Sequence, residues 1–552
     1  MADNNGKELC LRMDRLFTQR TSTDALWQEL ADNFYPERGD FTVARVTQQS
    51  WGDWLFSTAP AMMRRDLGNA VSSMIRPGGR QWGKCDIDDE ILGKDAGVRA
   101  YLDFLGDAQW HHMYAPQANF VRATKEADHD LITFGNSVKS VEADVMAGKL
   151  LYRCHHLKDC AWQDNGIGVT DVMCRKIKLT ARQAAQFFNG ADLSQKVRDA
   201  LDKSPFTEFQ FSHWMMPAAD YEYVTKAKPK GKVKFVSIYV DVDEKKIMRE
   251  SPSYEFRYVV DRWATVPNFV YGISPATLTA LPDARMLQVL ARIIQEAGEK
   301  SVDPPLKAQE NAVRGDINLF AGGVTWVDRE YDEKTGPALE PVLLGKDAGL
   351  GLHLFDRINN VLVSAFYLNK LSLPQQQGKT AYETAQLVEE NLRASAPLFE
   401  PMEQNNANLL DVTFEILMRN GAFGPPDAIP QPLRGKNIQF TFSNPLHDAI
   451  EKAKMLQYQG VVQLTAQGMQ LDQSIASNIN LNQAYRDAVV GSGAPAQWLN
   501  PEEAAAATRA AAAKMSALQH MIGGAQAAGM AAQAVGDGAS SLNQQVTQQQ
   551  AA

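Results

Sequence analysis

Lys379 is the residue whose type and neighbours come closest to chemistry. It stands in Gly378-Lys379-Thr380, the ending of a phosphate-binding loop. Such a loop needs an earlier glycine, so that backbone amides can close around phosphates. Leu373 occupies that place, and Pro374, Gln375, Gln376 and Gln377 fill the loop, so no nucleotide site is expected. Cys154, His155, His156, Cys160 and Cys174 are zinc-ligand types, but their spacing lacks the paired short turns that present two ligands to one ion. They read as buried thiols and strand histidines. Asp86, Asp88, Asp89 and Glu90 read as a solvated turn. Lys226, Lys228, Lys230, Lys232 and Lys234 alternate through KAKPKGKVK; this is a solvated edge or, less simply, a patch for phosphates or an acidic partner. No GxSxG, HExxH or GxGxxG occurs. The expectation is no catalytic residue, no metal and no cofactor.

The elements around these residues follow from periodicity. Leu55, Met62, Met63, Leu67, Val71 and Ile75 predict a helix over Trp54–Ile75, stopped by Pro77-Gly78-Gly79. A second helical block spans Val98–Ile132 and breaks near Pro116. Short β-type runs follow at Val138–Val145, Leu150–His155, Phe209–Met216, Val233–Val242 and Tyr254–Trp263. A helix at Ala181–Phe188 is entered through Thr180 as N-cap. Pro282 opens a strong helix to Lys300, and another runs over Leu350–Tyr367. Between them, Ile317–Phe320 and Val324–Val327 read as β-type. A long helical run, Ala381–Leu417, must kink at Pro397 and Pro401. Ile438–Phe442 reads as a strand and Pro445–Val490 as helices. The tail from Pro501 is alanine-rich. The fold class is therefore α+β, mainly α.

Composition narrows the class. The chain has 552 residues, 45% of them hydrophobic, which excludes wholly disordered and collagen-like chains. A net charge of −9 gives no general duplex-binding surface, so any nucleic acid is handled at a few local sites. Five cysteines are too few and too irregular for a disulfide framework. The start, MADNNGKELCLRMDRL, lacks a signal peptide's apolar core, and no apolar run is long enough for a membrane span.

Five segments together carry more. QANFVRATKEADHDLITFGNSVKSVE (117–142), NGIGVTDVMCRKIKLTARQ (165–183), DRWATVPNFVYGISPATLTALPDARMLQVL (261–290), EKSVDPPLKA (299–308) and TAYETAQLVEENLRASAPLFEPM (380–402) follow in order. In them the chain resembles the head-to-tail connector, or portal, proteins of short-tailed bacteriophages. The most specific piece has Arg262-Trp263, then Tyr271-Gly272, Pro275-Ala276 and Leu281-Pro282-Asp283 opening a helix.

The resemblance implies a portal architecture. Residues 1–281 would be wing, 282–301 a stem helix, 302–345 the clip and 346–367 the returning stem helix. Residues 368–380 would be the tunnel loop, 381–444 wing again, 445–500 crown and 501–552 a helical barrel or tail. It implies a homo-oligomeric ring of twelve subunits at one capsid vertex, through which double-stranded DNA is packaged and ejected without sequence reading. The implied partners are the terminase packaging motor, a tail adaptor, capsid and scaffolding proteins and internal core proteins, with no membrane. The protein would be made in the host cytoplasm and end in the virion. Lys370, Gln375, Gln376, Gln377 and Lys379 would face the DNA channel. Asp328, Glu330, Asp332 and Glu333 would form the clip's docking rim. The charge pattern accords with this: residues 302–345 carry eight acids against four bases, while 369–380 carry only the two lysines. A wall lined throughout with base would bind phosphate tightly and resist sliding. The rival readings are another ring-forming virion part, an adaptor or tail component, and a packaging ATPase, which the missing glycine argues against.

Overall fold

The computed structural model describes residues 2–44, 51–79, 81–89, 92, 96–144, 149–188, 193–229, 231–308, 313, 316–317, 325–328, 337, 339–342, 348–371, 401–425, 427, 429–442, 458–468, 480–491, 505–512 and 514–515. The chain divides into two compact units, Met1–His447 and Asp448–Ala552. Both helix and sheet are present, with helix predominating.

Three helices open the first unit: α1 (Ala2–Gln19), α2 (Thr21–Phe34) and α3 (Ala59–Ile75). The helix expected from Trp54 begins only at Ala59. Pro60 takes its first turn, where a missing N–H costs no hydrogen bond. Trp54 is drawn elsewhere, giving its indole N–H to the Asp32 carbonyl at 3.0 Å. Asp86 lies inside β1 (Gly83–Ile87), which corrects the solvated-turn reading for that residue, its carboxylate 3.7 Å from Arg99; Asp88 follows in an exposed bend, and Glu90 lies outside the described residues. The long helical block resolves into α4 (Ala96–Met113) and α5 (Phe120–Phe134), on either side of Pro116.

A three-stranded antiparallel sheet follows, ordered β3 (Lys149–His155), β2 (Asn136–Asp144), β9 (Tyr258–Arg262). Beside it in sequence lies a five-stranded antiparallel sheet in chain order: β4 (Cys160–Asp164), β5 (Thr170–Thr180), β6 (Glu208–Pro217), β7 (Phe235–Asp241) and β8 (Lys246–Ser253). The run expected over Tyr254–Trp263 starts at Tyr258 instead, and β8 precedes it. Pro252 and the charged Arg249-Glu250 hide β8 from a pattern search. It stands at the end of the sheet, where proline is tolerated. Helices α6 (Ala181–Phe188), α7 (Gln195–Lys203) and α8 (Ala218–Thr225) fill the connections. Thr180 caps α6 as expected: its hydroxyl accepts from Gln183 N–H at 3.3 Å, and the Gln183 side chain accepts from Thr180 N–H at 3.0 Å.

A π-helical turn, Ala276–Ala280, leads into α9 (Leu281–Val302). A two-stranded pair, β10 (Leu306–Ala308) with β11 (Leu339–Pro341), separates it from α10 (Ala348–Ala365) and the short α11 (Leu368–Leu371). A helix over 401–419, α12, returns to the body, and β12 (Ile438–Phe442) pairs with β1. The first core joins distant parts of the chain: Trp27, Phe34, Leu67 and Ile132 pack with Leu287, Ile358, Leu362 and Phe366. In the second unit, helices run over 458–468 and Leu481–Gly491, within the span expected to be helical.

Candidate functional site

Two of the connector-like segments, 117–142 and 261–290, meet at the root of α9. Gly135 ends α5 with a left-handed φ of 75°, a conformation glycine adopts without steric cost. An added Cβ there would lie 2.6 Å from the Ile273 backbone, and one on Gly272 would lie 2.7 Å from the Gly135 carbonyl. The two glycines therefore let two chain segments touch backbone to backbone. Asn136 ties them together: its Oδ1 accepts from Gly272 N–H at 2.8 Å, and its Nδ2 donates to the Gly272 carbonyl at 3.0 Å. The Ser274 hydroxyl donates to the Thr133 carbonyl at 2.8 Å. Tyr271 packs on Trp162 and Trp27, with ring centroids 4.5 and 5.5 Å apart, and burial pushes its phenol up to about 12. Ala276 and Ala280 are wholly buried, and Pro282 and Asp283 suit the first turn of α9. These residues have a structural task, fixing where α9 leaves the body.

Charge is buried behind this root. Lys139 Nζ lies 2.6 Å from Asp261, which also accepts from the Ser137 hydroxyl at 2.6 Å. Arg76 pairs with Asp128 and donates to Asn406 Oδ1 at 3.0 Å. Burial raises the Asp128 pKa, against the opposing pull of Arg76 and Lys139.

Helices α9 and α10 form an antiparallel hairpin. Gly351 faces Ile294, while Ile358, Leu362 and Phe366 join Leu281, Ala284 and Leu287 nearer the root. The face of α10 turned away from α9 is polar. His353, Asp356, Arg357, Asn360 and Ser364, with Val361, line an open groove of about 570 Å³. After α10 the chain turns at Tyr367, φ 57°, and Lys370 follows, exposed, its ammonium 5.5 Å from the Tyr367 ring centroid. The remaining tunnel-loop candidates, Gln375, Gln376, Gln377 and Lys379, lie outside the described residues, as does Gly378-Lys379-Thr380. So do Glu330, Asp332 and Glu333, and Pro397. Asp328 is half-buried, one residue past an isolated bridge between Val313 and Val327.

The other candidates scatter. Cys160 and Cys174 are buried, and the Cys154 thiol lies 3.6 Å from Asp130. Among the described residues, no three His, Cys, Asp or Glu side chains gather as a metal site. Lys226, Lys228, Lys232 and Lys234 are exposed on the connection from α8 to β7, while Lys230 lies outside the described residues. No described helix is long and apolar enough to cross a membrane.

The arrangement is a helical hairpin rooted by close backbone contact in an α+β body. The chain belongs to the bacteriophage head to tail connecting protein family, which matches residues 7–499. It is 26% identical over 466 residues to the probable portal protein of Bordetella phage BPP-1, covering 81% of this chain and 80% of that one. It is 22% identical over 552 residues to the portal protein of Salmonella phage epsilon15, covering 97% and 96%. Its function is that of a portal, a structural part of the virion at the capsid vertex.

Proposed function

We propose that this chain works as one subunit of a closed ring of twelve, through which double-stranded DNA enters and leaves the capsid. The observation that carries the reading is the family match over residues 7–499, together with the α9–α10 hairpin leading to Lys370. In this reading α9 and α10 are the stem and 302–345 the clip. The polar outer face of α10 contributes to the channel wall. Its mixed charges, Asp356 and Arg357 among neutral groups, suit a duplex that must slide. Lys370 and Lys379, with Gln375, Gln376 and Gln377, form a thin basic band. Asp328, Glu330, Asp332 and Glu333 present acids to the packaging motor and later to the tail adaptor; capsid, scaffolding and internal core proteins meet the wing and crown. The protein performs no chemical step, so the energy for packaging comes from a separate ATPase.

Electron microscopy and mass photometry of the purified chain test this. A broad-winged ring with a narrow stem and a mass of about 730 kDa is expected from twelve 61.0 kDa subunits. A species of 61.0 kDa alone, at physiological salt and micromolar concentration, would overturn the ring.

A further inference from the structure

Gln288 grips backbone from a remote part of the chain. Its Oε1 accepts from the N–H groups of Phe56 and Ser57, each at 2.9 Å, and its Nε2 donates to the Ser57 carbonyl at 2.8 Å. Trp54 is fixed by its bond to the Asp32 carbonyl, and the Arg292 guanidinium lies 5.8 Å from the Phe56 ring centroid. The segment is thus held in place, yet Phe56 is 49% exposed and Trp54 41%. An aromatic side chain already fixed loses little entropy on docking, and such rings are frequent anchors of protein interfaces.

The opposite flank of the hairpin supplies a complement. Ile294 marks the side of α9 that faces α10. At about 100° per residue, Gln288 and Arg292 lie roughly 120–160° from it in one direction, and Met286, Val289 and Ile293 roughly 80–140° in the other. On α10, Leu350, Leu354 and Val361 lie roughly 60–100° from the facing Gly351. Because the helices are antiparallel, this second stripe falls on the same flank as the first. The six side chains are 40% to 61% exposed and form one apolar strip along the hairpin.

We propose that this strip receives Phe56 and Trp54 from a second copy of this chain. The contact rests on the ring reading above and gives it a direction. Two unlike, complementary flanks of one hairpin make a head-to-tail contact, which closes into a ring when repeated. A two-fold contact, strip against strip, would instead leave the clamped rings uncovered.

Cysteine cross-linking tests the pairing. The chain carrying both Phe56→Cys and Ile293→Cys should form a ladder of disulfide-linked multimers under mild oxidation. Mixing the two single variants should give linked dimers, while each single variant alone, and the native chain with its five thiols, should not. Independently, Phe56→Ala, Ile293→Glu and Gln288→Ala should each raise the concentration needed for rings by about tenfold or more, with circular dichroism unchanged. Rings that assemble without the 56–293 link, or that link through position 293 alone, would overturn this contact and leave the ring standing. A native chain that stays at 61.0 kDa would overturn both.

Discussion

At the scale of single residues, the first unit depends on charges placed where water is scarce. Lys139 and Asp261 are both almost fully buried. Removing one of such a pair strands the other without solvent, which typically costs about 3–5 kcal/mol. Lys139→Met should therefore lower the melting temperature far more than Lys226→Met, which removes an exposed charge; equal effects would show that the pair contributes nothing. Two buried histidines add a dependence on pH. Burial first, then Arg175, holds the His155 and His213 pKa values well below the ordinary value. His213 sits between the Tyr258 hydroxyl at 2.5 Å and the Ser237 hydroxyl at 2.8 Å. Below about pH 6.5 the unfolded chain gains protons on these rings that the folded chain refuses. Their contribution makes stability fall as pH drops from 7 toward 5, and His213→Gln should make that fall shallower. Thermal melts across that range check the sign, since an unchanged slope in the variant would mean that the ring titrates alike in both states.

At the scale of elements, much of the chain was legible because helices and strands write themselves locally. Ala181–Phe188 is capped by Thr180, and Ile438–Phe442 has the expected bounds; α9 and α10 differ from expectation by only a few residues. What was not legible is what distant segments do to one another. Nothing local marks β8, and nothing near Trp54 tells that Asp32 and Gln288 will hold this stretch outside α3. The motif glycines were readable as a family resemblance, but their reason appears only when Gly135, at the end of α5, meets Gly272, beyond β9. Gly135→Ala would place a side chain at positive φ and against the Ile273 backbone at once. A loss of about 1–3 kcal/mol is expected from the strained backbone alone. Because the affected contact roots α9, limited proteolysis should cut near Gly272 sooner in the variant. A native melting temperature and digestion pattern would show that the two segments separate without cost. Of the candidate site, Lys370 and Asp328 could be placed, while the rest of the loop and rim lie outside the described residues.

At the scale of the whole molecule, the proposed passage of DNA raises the question of how a chain of net charge −9 would handle a polyanion. General repulsion with a few local contacts is one physical answer, since each lysine that neutralises a phosphate adds both affinity and salt dependence. Residues 369–380 carry Lys370 and Lys379 and no acid, and Lys370 stands exposed immediately beyond the turn that ends the hairpin. In the proposed ring these charges would repeat around the axis, so two per subunit would make a band of positive charge. Lysine offers a mobile ammonium and no rigid fork, so the band would touch phosphates without reading bases. Replacing both lysines with glutamine removes the two charges at similar side-chain length, and Lys370 is exposed, so no packing is lost there. The doubly substituted chain should assemble with the same mass as the parent. It should package or retain less DNA, and whatever DNA contact remains should depend less steeply on salt. Genome length in filled particles, with the salt dependence of DNA retention by isolated rings, measures both. If the variant fills and holds full-length DNA like the parent, the lysines only keep the loop solvated, and the grip on DNA must come from the polar face of α10 around Arg357.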